Sequence, residues 1–277
     1  MEKDLKNIIL GKGLPYTVLA ILAFITLYPL FMLLFGSFKH QLQLLQNPWF
    51  FTFPMHFSNY TIAVEQIIRP IFNSVVVTTL GITFTLIGAS LASYVFAIYK
   101  FPGKTFFYYY IIFLLMVPGF VILIPQFMVV NNLGMFNTYL GQVFPPVANN
   151  IAMGTLLMTT FFRGLSKSVI ESAQIEGCNE VQLLTRIVLP LSKPILATIS
   201  ITTGLVFWNN FIWPLVITQG DRVAPVIVVI SRLRVPIVEG LGPVFAAYVV
   251  AALPILILFA FASKAFVAGL TAGAVKG

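Results

Sequence analysis

The sequence predicts an all-α integral membrane protein with six membrane-spanning helices and a polar helical hairpin between the fourth and fifth. Composition is the first observation: 59% of the 277 residues are hydrophobic, 9% are charged and the mean hydropathy is +0.97. Soluble domains carry roughly 25% charged residues. The second observation is a set of long uncharged runs, the longest of which covers 58 residues from Thr105 to Phe162. The third observation is a single long polar passage, residues 168–190, which lies between two apolar blocks.

The uncharged runs divide into six candidate spans, because a bilayer-crossing helix needs about 20 apolar residues. The predicted spans are 14–38, 71–99, 106–130, 147–163, 195–218 and 240–263. The 58-residue run is split at the turn residues Asn131–Gly134 and Gly141–Pro146. The third span is expected to bend at Pro118 or Pro125. In the second span, Gly88 and Ala92 form a small-xxx-small face for close helix contact.

Orientation follows from the excess of Lys and Arg on the cytoplasmic side of membrane proteins. With both termini, the tail 264–277 and the polar hairpin in the cytoplasm, eleven basic residues lie inside and five outside. Residues 39–70 and 220–239 then form external loops, and one membrane domain covers residues 1–277. The basic residues are scattered singly, which favours membrane topology over nucleic-acid binding as the reason for the +8 charge.

The polar hairpin, residues 168–190, carries the signals of two short helices joined by a tight turn. Ser168 and Glu171 have the spacing of a capping box. Gly177 is placed to end the first helix, because it adopts the left-handed conformation without a Cβ penalty. Asn179 is predicted to cap a second helix. That helix carries an apolar stripe and ends near two prolines: Val181, Leu184, Ile187 and Val188, then Leu189–Pro190 and Lys193–Pro194.

Three motifs of the second half carry a family resemblance. Glu171-Ser172-Ala173, Glu176-Gly177 and Ile187-Val188-Leu189-Pro190 resemble the EAA motif of ABC-importer permeases, with Ser172 in place of alanine and Glu176 in place of aspartate. Trp208–Leu215 and Gly269–Gly277 are similar to the carbohydrate branch, specifically its smaller, maltose-type permease. The first half of the chain shows only a weak resemblance.

The resemblance implies a permease subunit of an ATP-driven importer for a di- or oligosaccharide in a bacterial cell membrane. The implied partners are a homologous second permease, two cytoplasmic ATP-binding subunits and an extracellular or periplasmic solute-binding protein. The residues implied to couple ATP hydrolysis to transport are Glu171, Ser172, Ala173, Gly177, Ile187, Leu189 and Pro190. Val275, Lys276 and Gly277 at the end of the tail are implied to contact the ATPase subunits; the alternative is a disordered end.

The contacts of the hairpin have two interpretations. Glu171 would pair with a basic residue of the ATPase or serve as a helix cap, and its two carboxylate oxygens allow both. Motif position favours partner contact for Val169, Ile170 and Ala173, with packing against the body of this protein as the alternative. Val181 and Leu184 fit either surface.

Energy for transport is expected to come from a partner, because the six predicted spans contain no Asp, Glu, Lys, Arg or His apart from Arg163 at the end of the fourth. The sequence has no G-x-x-x-x-G-K-[ST] phosphate-binding motif. We therefore expect no catalytic residues and no cofactor on this chain, with ATP and Mg bound by the partner ATPase. Cys178, His40 and His56 form no ligand set with metal spacing. A non-transporting membrane scaffold is the alternative, and a secondary carrier is disfavoured by the uncharged spans.

The substrate-pathway candidates are Trp208, Asn209, Asn210 and Trp213 in the fifth span. Carboxamides donate and accept hydrogen bonds, and aromatic faces stack on sugar C–H surfaces, so this lining suits a carbohydrate. The alternative is that the asparagines bond between helices and the tryptophans lie at the membrane interface. Asn149–Asn150 is a weaker candidate. A glycerol-phosphate type of solute is disfavoured only by the lack of intramembrane basic residues.

Overall fold

All regular secondary structure in the described part of the chain is helical. The computed structural model describes the backbone of residues 2–233 and 240–274 and the side chains of residues 15–233 and 240–260. No strand occurs within these ranges, so the predicted all-α class is confirmed there. The α-helices are α1 (Glu2–Gly36), α2 (Gln41–Gln46), α3 (Ser58–Ile98), α4 (Lys104–Phe113), α5 (Gly119–Asn132), α6 (Tyr139–Arg163), α7 (Lys167–Ile175), α8 (Glu180–Gln182), α9 (Leu189–Leu191), α10 (Lys193–Trp208), α11 (Ile212–Ile217), α12 (Val226–Ser231) and α13 (Gly242–Ala274). A 3₁₀ turn covers Leu114–Met116 and a π-helical turn covers Leu183–Val188.

By length and composition, three of the described helices can cross a bilayer: Pro15–Gly36 of α1, all of α3, and Gly242–Ala260 of α13. Two sharply bent pairs raise the number to five if each pair is one span: Lys104–Met116 with Gly119–Asn132, and Glu180–Leu191 with Lys193–Trp208. Helix α6 is not among them, and its sequence contains Gln142, Asn149 and Asn150. The described helices therefore fit a membrane protein, and the count of six spans stays a prediction.

Several helices extend beyond the predicted spans. Helix α1 begins at Glu2, ahead of the predicted first span, α3 begins at Ser58 inside the predicted loop 39–70, and α13 continues through the predicted tail to Ala274. Glu65 and Arg69 lie in the added part of α3. The reason is that hydropathy measures the segment inside the bilayer, whereas the backbone hydrogen bonds of a helix continue through polar residues with adequate helix propensity.

The predicted third span, 106–130, is not one continuous helix. Helix α4 and the 3₁₀ turn meet α5 at an angle of 100°. The break lies at Pro118, one of the two predicted positions; Pro125 lies inside α5. Val117, which precedes the proline, has extended backbone with φ −80° and ψ 116°. This is the conformation that the ring of a following proline favours, because it clashes with helical backbone at the preceding residue.

The predicted break at Gly141–Pro146 is wrong, because these residues lie inside α6. The chain turns instead at the other predicted break, Asn131–Gly134, where Gly134 has φ +68°. Helix α6 tolerates Pro145 because a neighbour replaces the missing backbone donor. Without an N–H on Pro145, the carbonyl of Gly141 has no partner four residues on, and the indole N–H of Trp213 donates to it at 3.1 Å.

The chain divides into two compact units, described separately here: Met1–Ile67 with Arg232–Ala252, and Ile68–Ser231 with Leu253–Gly277. In the first unit, the fully buried Lys39 lies just beyond the end of α1. Its Nζ donates to the backbone carbonyls of Asn47 at 2.7 Å and Phe50 at 2.6 Å. Burial lowers the pKa of Lys39. This side chain ties the segment after α2 to the end of α1.

In the second unit, α3 packs closely against α6 through small residues. A Cβ added to Gly88 would lie 2.5 Å from Cδ1 of Ile151, and one added to Gly154 would lie 2.7 Å from Cβ of Ala89. Such approaches are possible only without a side chain at the glycine. The predicted close contact at Gly88 is therefore confirmed, and the contact at Gly154 was not predicted.

Buried polar groups in the second unit hold the segment that follows α11. The side-chain amide of Asn73 donates to the carbonyls of Asp221, Arg222 and Ala224 at 3.0–3.4 Å, with the shortest bond to Ala224. Tyr139 donates to Oδ1 of Asn73 at 2.6 Å. The predicted second external loop is thus partly buried and contains the short helix α12, so its apolar residues fill the interior of this unit.

Candidate functional site

The first helix of the polar hairpin starts earlier than predicted. Its N-cap is Ser166, with no side-chain cap bond, and Ser168 lies inside α7. The hydroxyl oxygens of Ser166 and Ser168 are 2.7 Å apart, so they bond to each other. The predicted capping box of Ser168 and Glu171 is therefore wrong. Glu171 is exposed on the surface of α7 and does not cap the helix, which removes the structural alternative for its role.

The turn of the hairpin is closed as predicted by Gly177. This residue follows the C-cap Glu176 and has φ +86°, in the left-handed region. The N–H of Gly177 donates to the carbonyl of Gln174, and the N–H of Cys178 donates to the carbonyl of Ala173, both at 3.1 Å. This pair of bonds is the Schellman motif, in which a glycine ends a helix at no Cβ cost.

The second arm begins at Asn179, as predicted. Its side chain accepts from the N–H of Gln182 at 2.9 Å, and the Gln182 side chain accepts from the N–H of Asn179 at 3.0 Å. These reciprocal bonds form a capping box. The chain then passes through the π-helical turn Leu183–Val188 into α9. A π-helical turn has more residues per turn than an α-helix, so it shifts the positions that follow to a different face.

The inner face of the hairpin packs against its own protein. Its buried residues join side chains of α3, α6 and α10 in one core cluster: Ala173, Leu183, Leu184 and Val188 with Ala89, Tyr94, Met158, Phe162, Ile195 and Ile199. Ile170, Ile187 and Leu189 lie half-buried against the same cluster. The hairpin is thus held to three long helices by apolar contacts, so a force on it reaches all three.

The outer face of the hairpin is exposed and mixed in character. Ile175 is 87% exposed and Val181 70% exposed. Glu171, Ser172 and Glu176 are exposed beside them. Of the three apolar residues favoured as partner contacts, only Val169 is exposed; Ile170 and Ala173 face the core cluster.

Two apolar positions of the hairpin therefore differ from the predicted pattern. Ile175 received no role from sequence, although an aliphatic residue between polar neighbours at the end of a helix was a usable signal. The predicted stripe put Val181 on the same face as Leu184 and Val188, whereas Val181 is exposed and Leu183 is buried with them. The stripe assumed regular α-helical spacing, which the π-helical turn changes.

A carboxylate of the second arm also contacts the body of the protein. Tyr94 of α3 donates its hydroxyl to Oε2 of Glu180. The hydroxyl of Tyr99, just after α3, also interacts with this carboxylate. These donated hydrogen bonds lower the pKa of Glu180, because they stabilise the ionised form. Sequence reasoning missed these three residues, since Glu180 lies 86 and 81 positions after the two tyrosines and no local motif joins them.

The predicted fifth span, 195–218, is interrupted. Helix α10 ends at Trp208 and α11 begins at Ile212, which leaves Asn209–Phe211 outside regular helix. Asn209 is exposed, and its side chain donates to the carbonyl of Leu205 at 2.9 Å. Asn210 is half-buried. Two predicted pathway residues therefore lie at a helix break.

The two tryptophans of the predicted pathway are buried in the second unit. Trp208 is 7% exposed and Trp213 is 4% exposed. The N–H of Trp213 is already bonded to Gly141, as described above. Val275, Lys276 and Gly277 lie outside the described residues. Among the residues that are described, no three His, Cys, Asp or Glu side chains are grouped so that they could hold a metal ion.

The sequence profile of a family described as "binding-protein-dependent transport system inner membrane component" matches residues 81–271. An arabinooligosaccharides transport system permease protein, AraQ, from Halalkalibacterium halodurans is 32% identical over 269 residues, which cover 93% of this chain and 94% of that protein. AraQ of Bacillus subtilis is 31% identical over 262 residues, covering 92% of both chains.

A solved structure agrees at the level of the fold. A bacterial ABC transporter involved in the import of the acidic polysaccharide alginate has a chain that superposes with a TM-score of 0.80 at 23% identity, covering 94% of this chain and 97% of that chain. The predicted resemblance to ABC-importer permeases is confirmed by the profile match and by relatives that align along nearly the whole chain. This chain therefore belongs to the family of inner membrane components of binding-protein-dependent transport systems.

Proposed function

We propose that this chain is one of two homologous permease subunits of an ATP-driven importer and that its polar hairpin receives the movement of the ATPase subunits. The observation that carries the proposal is the two-sided hairpin. One face is packed into a core cluster with α3, α6 and α10, and the other exposes charged and aliphatic side chains. A soluble partner that binds the exposed face can therefore move three long helices together.

The proposed exposed contact surface consists of Glu171, Ser172, Ile175, Glu176 and Val181. Two carboxylates beside two exposed aliphatic side chains suit a cleft with an apolar floor and basic rim. Ala173, Ile187 and Leu189 act from the inner face by fixing the hairpin to the body. Pro190 and Gly177 set the path of the chain. ATP and Mg bind the partner ATPase, and this chain holds no cofactor of its own.

The orientation follows from this assignment, with the hairpin and both termini in the cytoplasm. The last residues of the tail, Val275, Lys276 and Gly277, contact the ATPase subunits in this arrangement. Helix α13 has 33 residues, more than the roughly 20 that a bilayer crossing needs, so it is long enough to extend beyond the membrane. Deleting residues 274–277 should lower the stimulation of ATP hydrolysis by the loaded solute-binding protein, and unchanged stimulation would remove the tail from the mechanism.

The proposed solute is a di- or oligosaccharide, delivered by an extracellular or periplasmic solute-binding protein. Both aligned relatives are named for the transport of arabinooligosaccharides. Irregular backbone at membrane depth is tolerated where it is buried in protein or lines a water-filled cavity. The exposed Asn209 at the break between α10 and α11 fits the second case, and its neutral amide suits sugar hydroxyls. Trp208 and Trp213 shape this region from the buried side.

Reconstitution into proteoliposomes tests the proposal. The chain is assembled with its candidate second permease, ATPase and solute-binding protein, and uptake of a labelled arabinooligosaccharide is measured. We expect uptake only with ATP, Mg and the loaded binding protein. Uptake driven by an ion gradient without ATP would identify a secondary carrier. Assembly with ATP hydrolysis but no uptake of any oligosaccharide in a panel would identify a scaffold.

Substitution at the helix break tests the pathway separately. Asn209→Ala should raise the apparent KM for the sugar about fivefold, the effect of losing one hydrogen bond of about 1 kcal/mol. Thr202→Val is the matched control, because Thr202 is an exposed polar residue of α10 whose hydroxyl bonds a carbonyl of its own helix. Equal KM values for the two variants would remove Asn209 from the pathway.

A further inference from the structure

Glu180 differs from the other two acidic residues of the polar hairpin. Glu171 and Glu176 lie on the exposed outer face, whereas the carboxylate of Glu180 accepts hydrogen bonds from the body of the protein. The donor is the hydroxyl of Tyr94, in the last turns of α3, and Tyr99, directly after α3, also interacts with this carboxylate. The two tyrosine rings meet edge to face with centroids 5.9 Å apart. We call Tyr94, Tyr99 and Glu180 the tyrosine–carboxylate cluster.

Both sides of this contact are held in place by other groups. Tyr94 is 5% exposed and is part of the core cluster, so its hydroxyl has a fixed position. Glu180 follows Asn179, whose capping box with Gln182 fixes the backbone of the second arm. Hydrogen bonds to an ionised carboxylate are shorter and roughly twice as strong as neutral ones. The cluster therefore joins two ordered elements that are far apart in the sequence.

The cluster gives the hairpin a directional contact with α3, which its apolar contacts do not provide. Apolar packing is non-directional, so a hairpin held only by the core cluster could slide along α3 when pulled. A hydrogen bond weakens steeply when its angle or distance changes. The bond from Tyr94 to the Glu180 carboxylate therefore fixes the position of the second arm along the axis of α3.

We propose that Tyr94, Tyr99 and Glu180 are positioning residues that make α3 follow the polar hairpin when the ATPase moves it. This inference rests on the proposed function, because it requires that the hairpin is driven by an ATPase. Removing the cluster leaves the apolar contacts in place, so the complex assembles and hydrolyses ATP. The hairpin then moves without carrying α3, and ATP is consumed with less solute imported.

The test measures solute imported per ATP hydrolysed, per assembled complex, in proteoliposomes. Tyr94→Phe/Tyr99→Phe removes both hydroxyls and keeps both rings. We expect this ratio to fall at least about threefold, while the amount of assembled complex stays at the wild-type level. Tyr109→Phe/Tyr110→Phe is the matched control, because these two tyrosines are exposed on α4 away from the cluster. The control should keep the wild-type ratio.

Combining Glu180→Leu with the double tyrosine variant separates a positioning role from a general structural effect. Glu180→Leu alone should lower the ratio as the double tyrosine variant does. Added to that variant, it should cause no further fall, because its partners are already gone. A wild-type ratio in Tyr94→Phe/Tyr99→Phe, or independent losses that multiply, would overturn the inference. Absence of ATP-dependent uptake by the wild-type complex would overturn the proposed function itself, and the cluster's role with it.

Discussion

Gly177 gives the sharpest test of the hairpin, because its left-handed backbone conformation forms the turn between the two arms. Its φ is +86°, and no atom lies within 4 Å of a Cβ built at this position. A substitution therefore meets no steric clash, and the entire penalty is backbone strain. The left-handed conformation costs an L-residue about 1–2 kcal/mol, with β-branched residues among the least tolerant.

This penalty shifts the balance between the observed turn and other turn conformations by a factor of roughly 5–30. In Gly177→Val the two arms should no longer hold their relative orientation. Sugar imported per ATP hydrolysed should then fall at least about fivefold in proteoliposomes, while the ATPase subunits continue to hydrolyse ATP. Gly177→Asn should lose much less, because Asn enters the left-handed region several-fold more often than most residues.

A second glycine provides the control for strain itself. Gly134, in the turn before α6, has φ +68° and also has no atom within 4 Å of an added Cβ. Gly134→Val should lower the thermal stability of the purified chain by a similar amount and keep the wild-type transport ratio. If Gly177→Val keeps the wild-type ratio, or if Gly134→Val lowers it equally, the angle of the hairpin does not determine coupling.

Three further predictions concern packing, burial and pH. Gly154→Ala should destabilise the chain by about 1–3 kcal/mol in thermal unfolding, because its Cβ would meet Cβ of Ala89 at 2.7 Å; Gly119→Ala, with nothing within 4 Å, should be close to neutral. Lys39→Met should cost about 1–3 kcal/mol and speed proteolysis of residues 40–57, because two carbonyls lose a charged donor; equal proteolysis rates would contradict this. The pKa of Glu180 is lowered on folding, so its contribution to stability is present above its unfolded pKa and is lost as the pH falls through the folded value. The midpoint of thermal unfolding should therefore fall more steeply below about pH 4.5 in the wild type than in Glu180→Gln, and parallel curves would refute the role of this carboxylate.

The sequence by itself determined the class of the protein and the local chemistry of the hairpin. A chain with so few charges cannot be a soluble domain, and this follows from composition alone. The end of α7 at Gly177 and the cap at Asn179 were predictable because both depend on residues within a few positions of each other. For the same reason Pro118 was one of the two positions at which a bend was predicted.

Only the tertiary structure decided which way each side chain of the hairpin faces and which of the predicted helix breaks form. Pro145 remains inside α6 because Trp213, distant in sequence, satisfies the carbonyl that it frees. Glu180 contacts the body of the protein because Tyr94 of another helix donates to it. Ala173 is buried and Ile175 is exposed through packing against three helices. Local patterns record which conformations a segment can adopt, whereas contacts between distant segments select among them, and those contacts have no signature in a single stretch of sequence.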